Sequence, residues 1–150
     1  MQPTKFINNE GLIEYRLDGK LHREDGPAYY DMGTNECWFY NNKLHRVGGP
    51  AESWSGSERW YRHGELHRED GPAVTYHDPN RAHYGDQEYW QYDKLHRLDG
   101  PAIITGTGIK CWWVNNHQMF NDEDFQQASG ISDEDMVSMI LKYGHVGFLE

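Results

Sequence analysis

The string Leu-His-Arg-x-x-Gly-Pro-Ala occurs four times in this chain, at 21–28, 44–51, 66–73 and 95–102. Six positions are identical in every copy, and the copies begin 23, 22 and 29 residues apart. Self-similarity at such a period means one supersecondary unit stacked on itself, because a unit this short cannot bury its apolar face alone. The 150 residues therefore read as one array of about four to five units.

The residues between copies give the unit its shape. Six positions before each Leu stand Tyr15, Trp38, Trp60 and Tyr89. The next column holds Arg16, Phe39, Tyr61 and Trp90, followed by the pairs Asp18-Gly19, Asn41-Asn42, His63-Gly64 and Tyr92-Asp93. An aromatic run, an Asn/Asp/Gly pair and a short segment with Leu spell a hairpin on a two-residue type I′ turn, whose central residues need positive φ. After the Gly-Pro corner come Ala28-Tyr29-Tyr30, Ala51-Glu52-Ser53-Trp54, Ala73-Val74-Thr75-Tyr76 and Ala102-Ile103-Ile104, a further strand, and then Gly-rich turns such as Ser55-Gly56. Each unit thus contributes about two short antiparallel strands. Alternation along the strands predicts one face with a continuous aromatic core and a second that is partly open and apolar. A fifth unit starts at Trp112-Trp113-Val114-Asn115-Asn116 and then breaks, with His117-Gln118-Met119-Phe120 in place of Leu-His-Arg.

From Asn121 the pattern changes. Residues 122–129 read as a short helix with Asn121 as N-cap and Gly130 as stop. Residues 133–143 read as a second, capped by Ser132 and ended by Gly144, with a stripe of Met136, Met139, Ile140 and Tyr143. The expected fold is mainly β: an antiparallel meander of stacked hairpin repeats over 1–120, with two short capping helices in an acidic segment 121–150 packed on the same domain.

Charge narrows the function classes. Fourteen Lys and Arg against 24 Asp and Glu give a net charge of −10. Nucleic acid and anionic membranes both demand a cationic face, so direct nucleic-acid binding and membrane binding are not expected. There is no apolar run long enough to span a bilayer, and the N-terminus lacks a signal-peptide core, so the expected location is the cytoplasm. Two Cys, Cys37 and Cys111, fall in equivalent columns and read as buried thiols.

The repeat resembles a variant of the MORN repeat found in proteins of bacteriophages and other large DNA viruses, whose unit reads roughly Trp-Trp-x-Asn-Gly-Lys-Leu-His-Arg-x-Asp-Gly-Pro-Ala. Residues 37–51, 59–73 and 89–102 fit closely and 13–28 more loosely. The resemblance covers roughly 13 to 120. It implies β-hairpin repeats and a phage-encoded protein acting in the host-cell cytoplasm, and it brings no catalytic residues.

The motif residues His22, His45, His67, His96, Arg23, Arg46, Arg68 and Arg97 invite a chemical reading. A residue present in every unit serves what every unit shares, so the expectation is structural: hydrogen bonds to a neighbouring unit's carbonyls, and pairing of Arg with Asp25, Asp70 or Asp99 two residues on. Successive motif His are expected about 10 Å apart, too far to share a metal ion. No catalytic constellation, metal or cofactor is called for. Two features remain for partner binding. The 29-residue spacing hides an insertion at 77–86, where Arg81, His83 and Tyr84 sit on a long loop. Asp122, Glu123, Asp124, Asp133, Glu134 and Asp135 cluster at the acidic end, where helix first turns already favour carboxylates. The expected function is a non-enzymatic protein-interaction module, a phage-encoded inhibitor of a host defence or nucleic-acid-handling protein working by occlusion of a basic surface. The alternatives are a binder of a small ligand such as a nucleotide signal, with the motif Arg as its contacts, and a structural or assembly protein. An exposed sheet face would favour a homodimer.

Overall fold

A computed structural model describes residues 2–33 and 35–147. The backbone is a meander in which every sheet neighbour is antiparallel. Its ladder runs Thr4–Ile7, Ile13–Leu17, Tyr29–Tyr30, Glu36–Cys37, Glu52–Trp54, Ser57–Arg59, Val74–Tyr76, Gln87–Glu88, Ile103–Ile104, Lys110–Val114 and His117–Met119. Lys20–Leu21 folds back on Ile13–Leu17. Beside the ladder stand three two-stranded ribbons, Phe39–Tyr40 with Lys43–Leu44, Tyr61–Arg62 with Glu65–Leu66, and Trp90–Gln91 with Lys94–Leu95.

Each full central unit therefore carries four short strands, not the two expected from sequence. The chain divides its hydrogen bonds at the first aromatic column. Trp38 donates its N–H to Ala51 O across the ladder at 2.7 Å, while its own carbonyl accepts from His45 N–H in the ribbon at 3.0 Å. Trp60 and Tyr89 repeat the pattern with Ala73 and His67, and with Ala102 and His96. One residue thus ends one ladder and opens the next.

The ribbon turns are the I′ turns that the Asn, Asp and Gly pairs predict. Both central residues have positive φ in all five units, from Asp18 (49°) and Gly19 (77°) to Asn115 (52°) and Asn116 (65°). Tyr92 adopts φ 50° in the fourth, where its ring lies 4.2 Å from that of His67.

The turns also join one unit to the next. Asn42, Gly64, Asp93 and Asn116 donate backbone N–H groups to the Leu carbonyls of the preceding unit, Leu21, Leu44, Leu66 and Leu95. The Asn42, Asp93 and Asn116 side chains accept in return from the N–H of Leu21, Leu66 and Leu95, each at 2.7 Å. These bonds recruit ribbon backbone groups that would otherwise line an unpaired edge.

The core is not a continuous aromatic face, as alternation suggested. Ala28, Ala51, Ala73 and Ala102 are fully buried at the corners, and Tyr15, Trp38, Trp60 and Tyr89 are only half-buried. The large apolar cluster lies at one end. There α1 (Asp122–Ser129) and α2 (Asp133–Tyr143) bring Phe125, Met136 and Met139 against Trp112, Val114 and Val146. Asn121 and Ser132 cap the two helices through bonds to Asp124 N–H and Asp135 N–H, and Gly130 and Gly144 end them. The cap thus completes the fifth hairpin instead of covering a core already made: Trp112, which has no motif Arg above it, is buried by helices.

Candidate functional site

The four motif Arg form a ladder of identical clamps. Each guanidinium lies over its own unit's first aromatic ring: Arg23 over Tyr15 at 4.1 Å, Arg46 over Trp38 at 4.0 Å, Arg68 over Trp60 at 3.8 Å and Arg97 over Tyr89 at 3.9 Å. Nη1 donates to the carbonyl of the motif Pro, at 3.2 Å for Pro50 and Pro101, 3.3 Å for Pro72 and 3.5 Å for Pro27. Nε donates to Asp25, Asp70 and Asp99 at 2.8, 2.8 and 2.7 Å. Those bonds hold the Asp25 and Asp70 carboxyls below their ordinary range; at Asp99 burial works the other way and the bond to Arg97 prevails.

The clamp also explains the motif Gly. A Cβ on Gly26, Gly49 or Gly71 would lie 2.6, 2.9 or 3.0 Å from the guanidinium carbon of its Arg, and none of the three has positive φ. Gly is needed there because the guanidinium lies flat between ring and backbone.

The motif His look to the next unit, but not to its carbonyls as expected. His45 Nδ1 accepts the N–H of His63 and His96 Nδ1 that of Asn115, both at 3.2 Å, and His22 Nδ1 lies 3.0 Å from the side-chain oxygen of Asn41 and 3.3 Å from its backbone nitrogen. The neighbour's carbonyls are taken instead by the Arg backbone: Arg23 N–H donates to Phe39 O and Arg97 N–H to Trp113 O. An Nδ1 that accepts from an amide must be unprotonated. Burial pushes the His45 and His96 imidazoles below the ordinary value, with His63 and Arg62 adding to this at His45 and Lys94 at His96. At His67 the Nδ1 has no hydrogen-bond partner among the described residues. The Arg side chains thus hold the corner of their own unit, while the Arg backbone and the His45 and His96 imidazoles join one unit to the next.

The insertion is an ordered bridge. His77 N–H donates to Gly56 O at 2.6 Å in the preceding turn, and Asp86 accepts from Gly106 N–H at 2.7 Å in the following one. Internally, Asp78 caps Asn80 and holds Arg81 Nε at 3.2 Å, and His83 pairs with Asp86 at 3.0 Å. The contacts are tight, since a Cβ on Gly106 would meet the Tyr84 carbonyl and one on Gly56 would meet Asp78 at 2.5 Å. Arg81, His83 and Tyr84 lie exposed on this base.

The acidic end is largely occupied with its own structure. Asp122 accepts from Val146 N–H and pairs with His145; Asp124 and Asp135 bond the capping residues Asn121 and Ser132; Asp133 accepts from Gln126. Only Glu123 and Glu134 of the six make no side-chain bond among the described residues. No hydrogen bond or ion pair there joins these helices to Arg81, His83 or Tyr84. The two groups of expected binding residues are separate features.

Sequence reasoning missed the clefts between successive corners. One of about 350 Å³ separates units three and four, lined by Arg68, Asp70, Tyr89, His96, Arg97 and Asp99. Another, of about 550 Å³, lies between units two and three and holds His45, Arg46, Trp60, Arg62, His63 and Arg68. The signal in the sequence was Val47-Gly48, where units one and three have Glu-Asp. Cys37 is buried and its thiol is pushed up to about 12 by burial and then by Glu52 and Glu36, which disfavours the thiolate. Cys111 is half-buried at the equivalent register, opposite Ile103 as Cys37 is opposite Tyr29.

Comparison with family models, with curated proteins and with solved structures found no match to this chain. No helix among the described residues is long and apolar enough to cross a membrane.

Proposed function

We propose that the chain is a non-enzymatic protein-interaction module whose contact face is the insertion loop. The observation that carries this reading is the double tether of 77–86 to the turns at Gly56 and Gly106. The other units join the same strands with shorter turns, so the array does not need this loop. A loop that is ordered before binding loses little conformational entropy on docking, which raises affinity. It presents a guanidinium, an imidazole and a phenol at Arg81, His83 and Tyr84, and Tyr and Arg recur as the residues that carry binding energy. The reading is supported further by the motif Arg, which are stacked and bonded within their own corners, and by His45 and His96, whose Nδ1 atoms bond the next unit. A host protein is the partner that the repeat resemblance suggests, and the action would be occlusion. The acidic helices play a lesser part, because four of their six carboxylates already have partners.

The test replaces His77–Gly85 by Ser-Gly, the turn that joins Trp54 to Ser57. Tagged wild-type and loop-replaced chains are used to capture partners from host lysate at low and high salt. A stoichiometric protein held by the wild type and lost by the replacement, with melting temperature kept, supports the reading. Equal capture by both chains refutes it.

A further inference from the structure

Unit two breaks the clamp at one atom. In the other three units the motif Arg donates Nε to a carboxylate two residues on, and those carboxylates are 80 to 84% exposed. In unit two that position is Gly48, and Arg46 Nε has no partner among the described residues. Arg46 keeps the rest of the arrangement, its stack on Trp38 and its bond to Pro50 O, with Glu36 no nearer than 3.8 Å. A Cβ on Gly48 would meet nothing within 4 Å, but its φ of 76° is left-handed where Asp25, Asp70 and Asp99 are not, so the corner backbone itself turns differently here; Val47 beside it is 87% exposed. The guanidinium thus aims a donor at open space that a carboxylate fills in its siblings.

The surroundings favour an anion there. The cleft holds Arg62 and the stacked imidazoles of His45 and His63, 4.2 Å apart and nearly parallel. Its acids, Glu69 and Asp70, are already engaged, by Arg62 at 3.4 Å and by Arg68 at 2.8 Å. Val47 and the Trp60 and Tyr61 rings add apolar wall. We propose that Arg46 binds the carboxylate of an external ligand in the place that Asp25, Asp70 and Asp99 take in their own units. Planar carboxylates suit the guanidinium fork, and the clamp orients it in advance. A free dicarboxylate and an acidic peptide share this chemistry. The site is separate from the loop of the preceding section and does not depend on it.

The test follows the Arg Nε–H resonances of the intact protein by two-dimensional 1H–15N NMR during titration at constant ionic strength. The probes are succinate, an acetylated Glu-Asp-Glu peptide amide, and inorganic phosphate. The Arg46 signal should shift and saturate while those of Arg23, Arg68 and Arg97 stay. Succinate acting as well as the peptide points to a free acid; the peptide acting alone points to a polypeptide source. The double variant Val47→Glu/Gly48→Asp supplies its own carboxylate and should lose the response; because Gly48 has φ 76°, Gly48→Asn, which bears the same strain without the charge, should keep it. Glu69→Val/Asp70→Gly should make Arg68 respond as Arg46 does. Arg46 failing to saturate with either carboxylate, all four Arg shifting together, or phosphate acting where both carboxylates fail would overturn the assignment.

Discussion

Arg97 should be the costliest of the motif arginines to replace. Its side chain is 10% exposed, against 23% for Arg68 and 21% for Arg23. Like its siblings it lies on a ring and bonds a Pro carbonyl, but α2 adds a second partner. The Tyr143 hydroxyl accepts from Nη2 at 2.9 Å, and the Tyr143 ring lies 5.2 Å from the guanidinium. A Lys at this position keeps the charge but loses the fork and the planar stack. The charge-assisted bond to Tyr143 is worth about 1.5–3 kcal/mol. Stacking in a desolvated setting adds up to about 2 kcal/mol, of which Lys retains part. Arg97→Lys should therefore cost about 2–3 kcal/mol, and Arg68→Lys, which loses stacking, a carbonyl bond and a bond to the exposed Asp70 but has no partner on α2, about 1 kcal/mol. In a chain of this size each kcal/mol lowers the melting temperature by about 2–4 °C, so the two variants should differ by several degrees. Tyr143→Phe removes the acceptor and leaves the ring. Urea unfolding of Arg97→Lys, Tyr143→Phe and the double variant should give a coupling of about 1–2 kcal/mol. Additivity within about 0.3 kcal/mol, or equal costs at Arg97 and Arg68, would refute the view that this clamp fastens the helical cap to the array.

Three other perturbations test separate parts of the structure. His45 and His96 lie below their ordinary 6.5, so the unfolded chain takes up protons first and their contribution is complete above about that pH; melting temperature should fall from pH 7.5 to pH 5 and fall less in His45→Gln/His96→Gln, whereas an unchanged slope contradicts the neutral-acceptor role. The lowered Asp25, Asp70 and Asp99 carboxyls act on the same curve only near and below their ordinary 3.8, because a carboxylate with a depressed value loses its contribution as pH falls from there. Gly26→Ala should cost about 1 kcal/mol by lifting Arg23 off Tyr15, and the cost should shrink in an Arg23→Ala background, as judged by urea midpoints; an undiminished cost there would place it in the backbone. Phe125→Ala empties a fully buried site in the terminal cluster and should cost about 3–5 kcal/mol with loss of the near-ultraviolet circular dichroism of Trp112; a loss under 1 kcal/mol would mean the helices do not complete the fifth unit.

The array was legible because its signals are local. The Asn, Asp and Gly pairs dictate I′ turns, and Asn121, Ser132, Gly130 and Gly144 bound both helices as their side chains require. What lay hidden depends on atoms distant along the chain. Tyr15 and Arg23 are eight residues apart, and only the corner shows that one stacks on the other with Gly26 making room. The aromatic columns read as core because periodicity registers hydrophobicity alone, and it cannot tell a ring against aliphatic side chains from a ring under a guanidinium. The direction of the His bonds was missed for a similar reason, since an imidazole can donate or accept. The separation of the loop from the acidic helices likewise needed the fold.

The central claim is that the motif His and Arg serve the fold, the Nε of Arg46 apart, and that partner-protein binding lies with the loop. The most direct measurement sets Arg68→Lys beside the loop-replaced chain, each scored for melting temperature and for capture of the lysate partner. The account predicts that Arg68→Lys melts lower and keeps the partner, while the loop-replaced chain melts near the wild type and loses it. The opposite pairing, with the partner lost through Arg68 and kept without the loop, would contradict it.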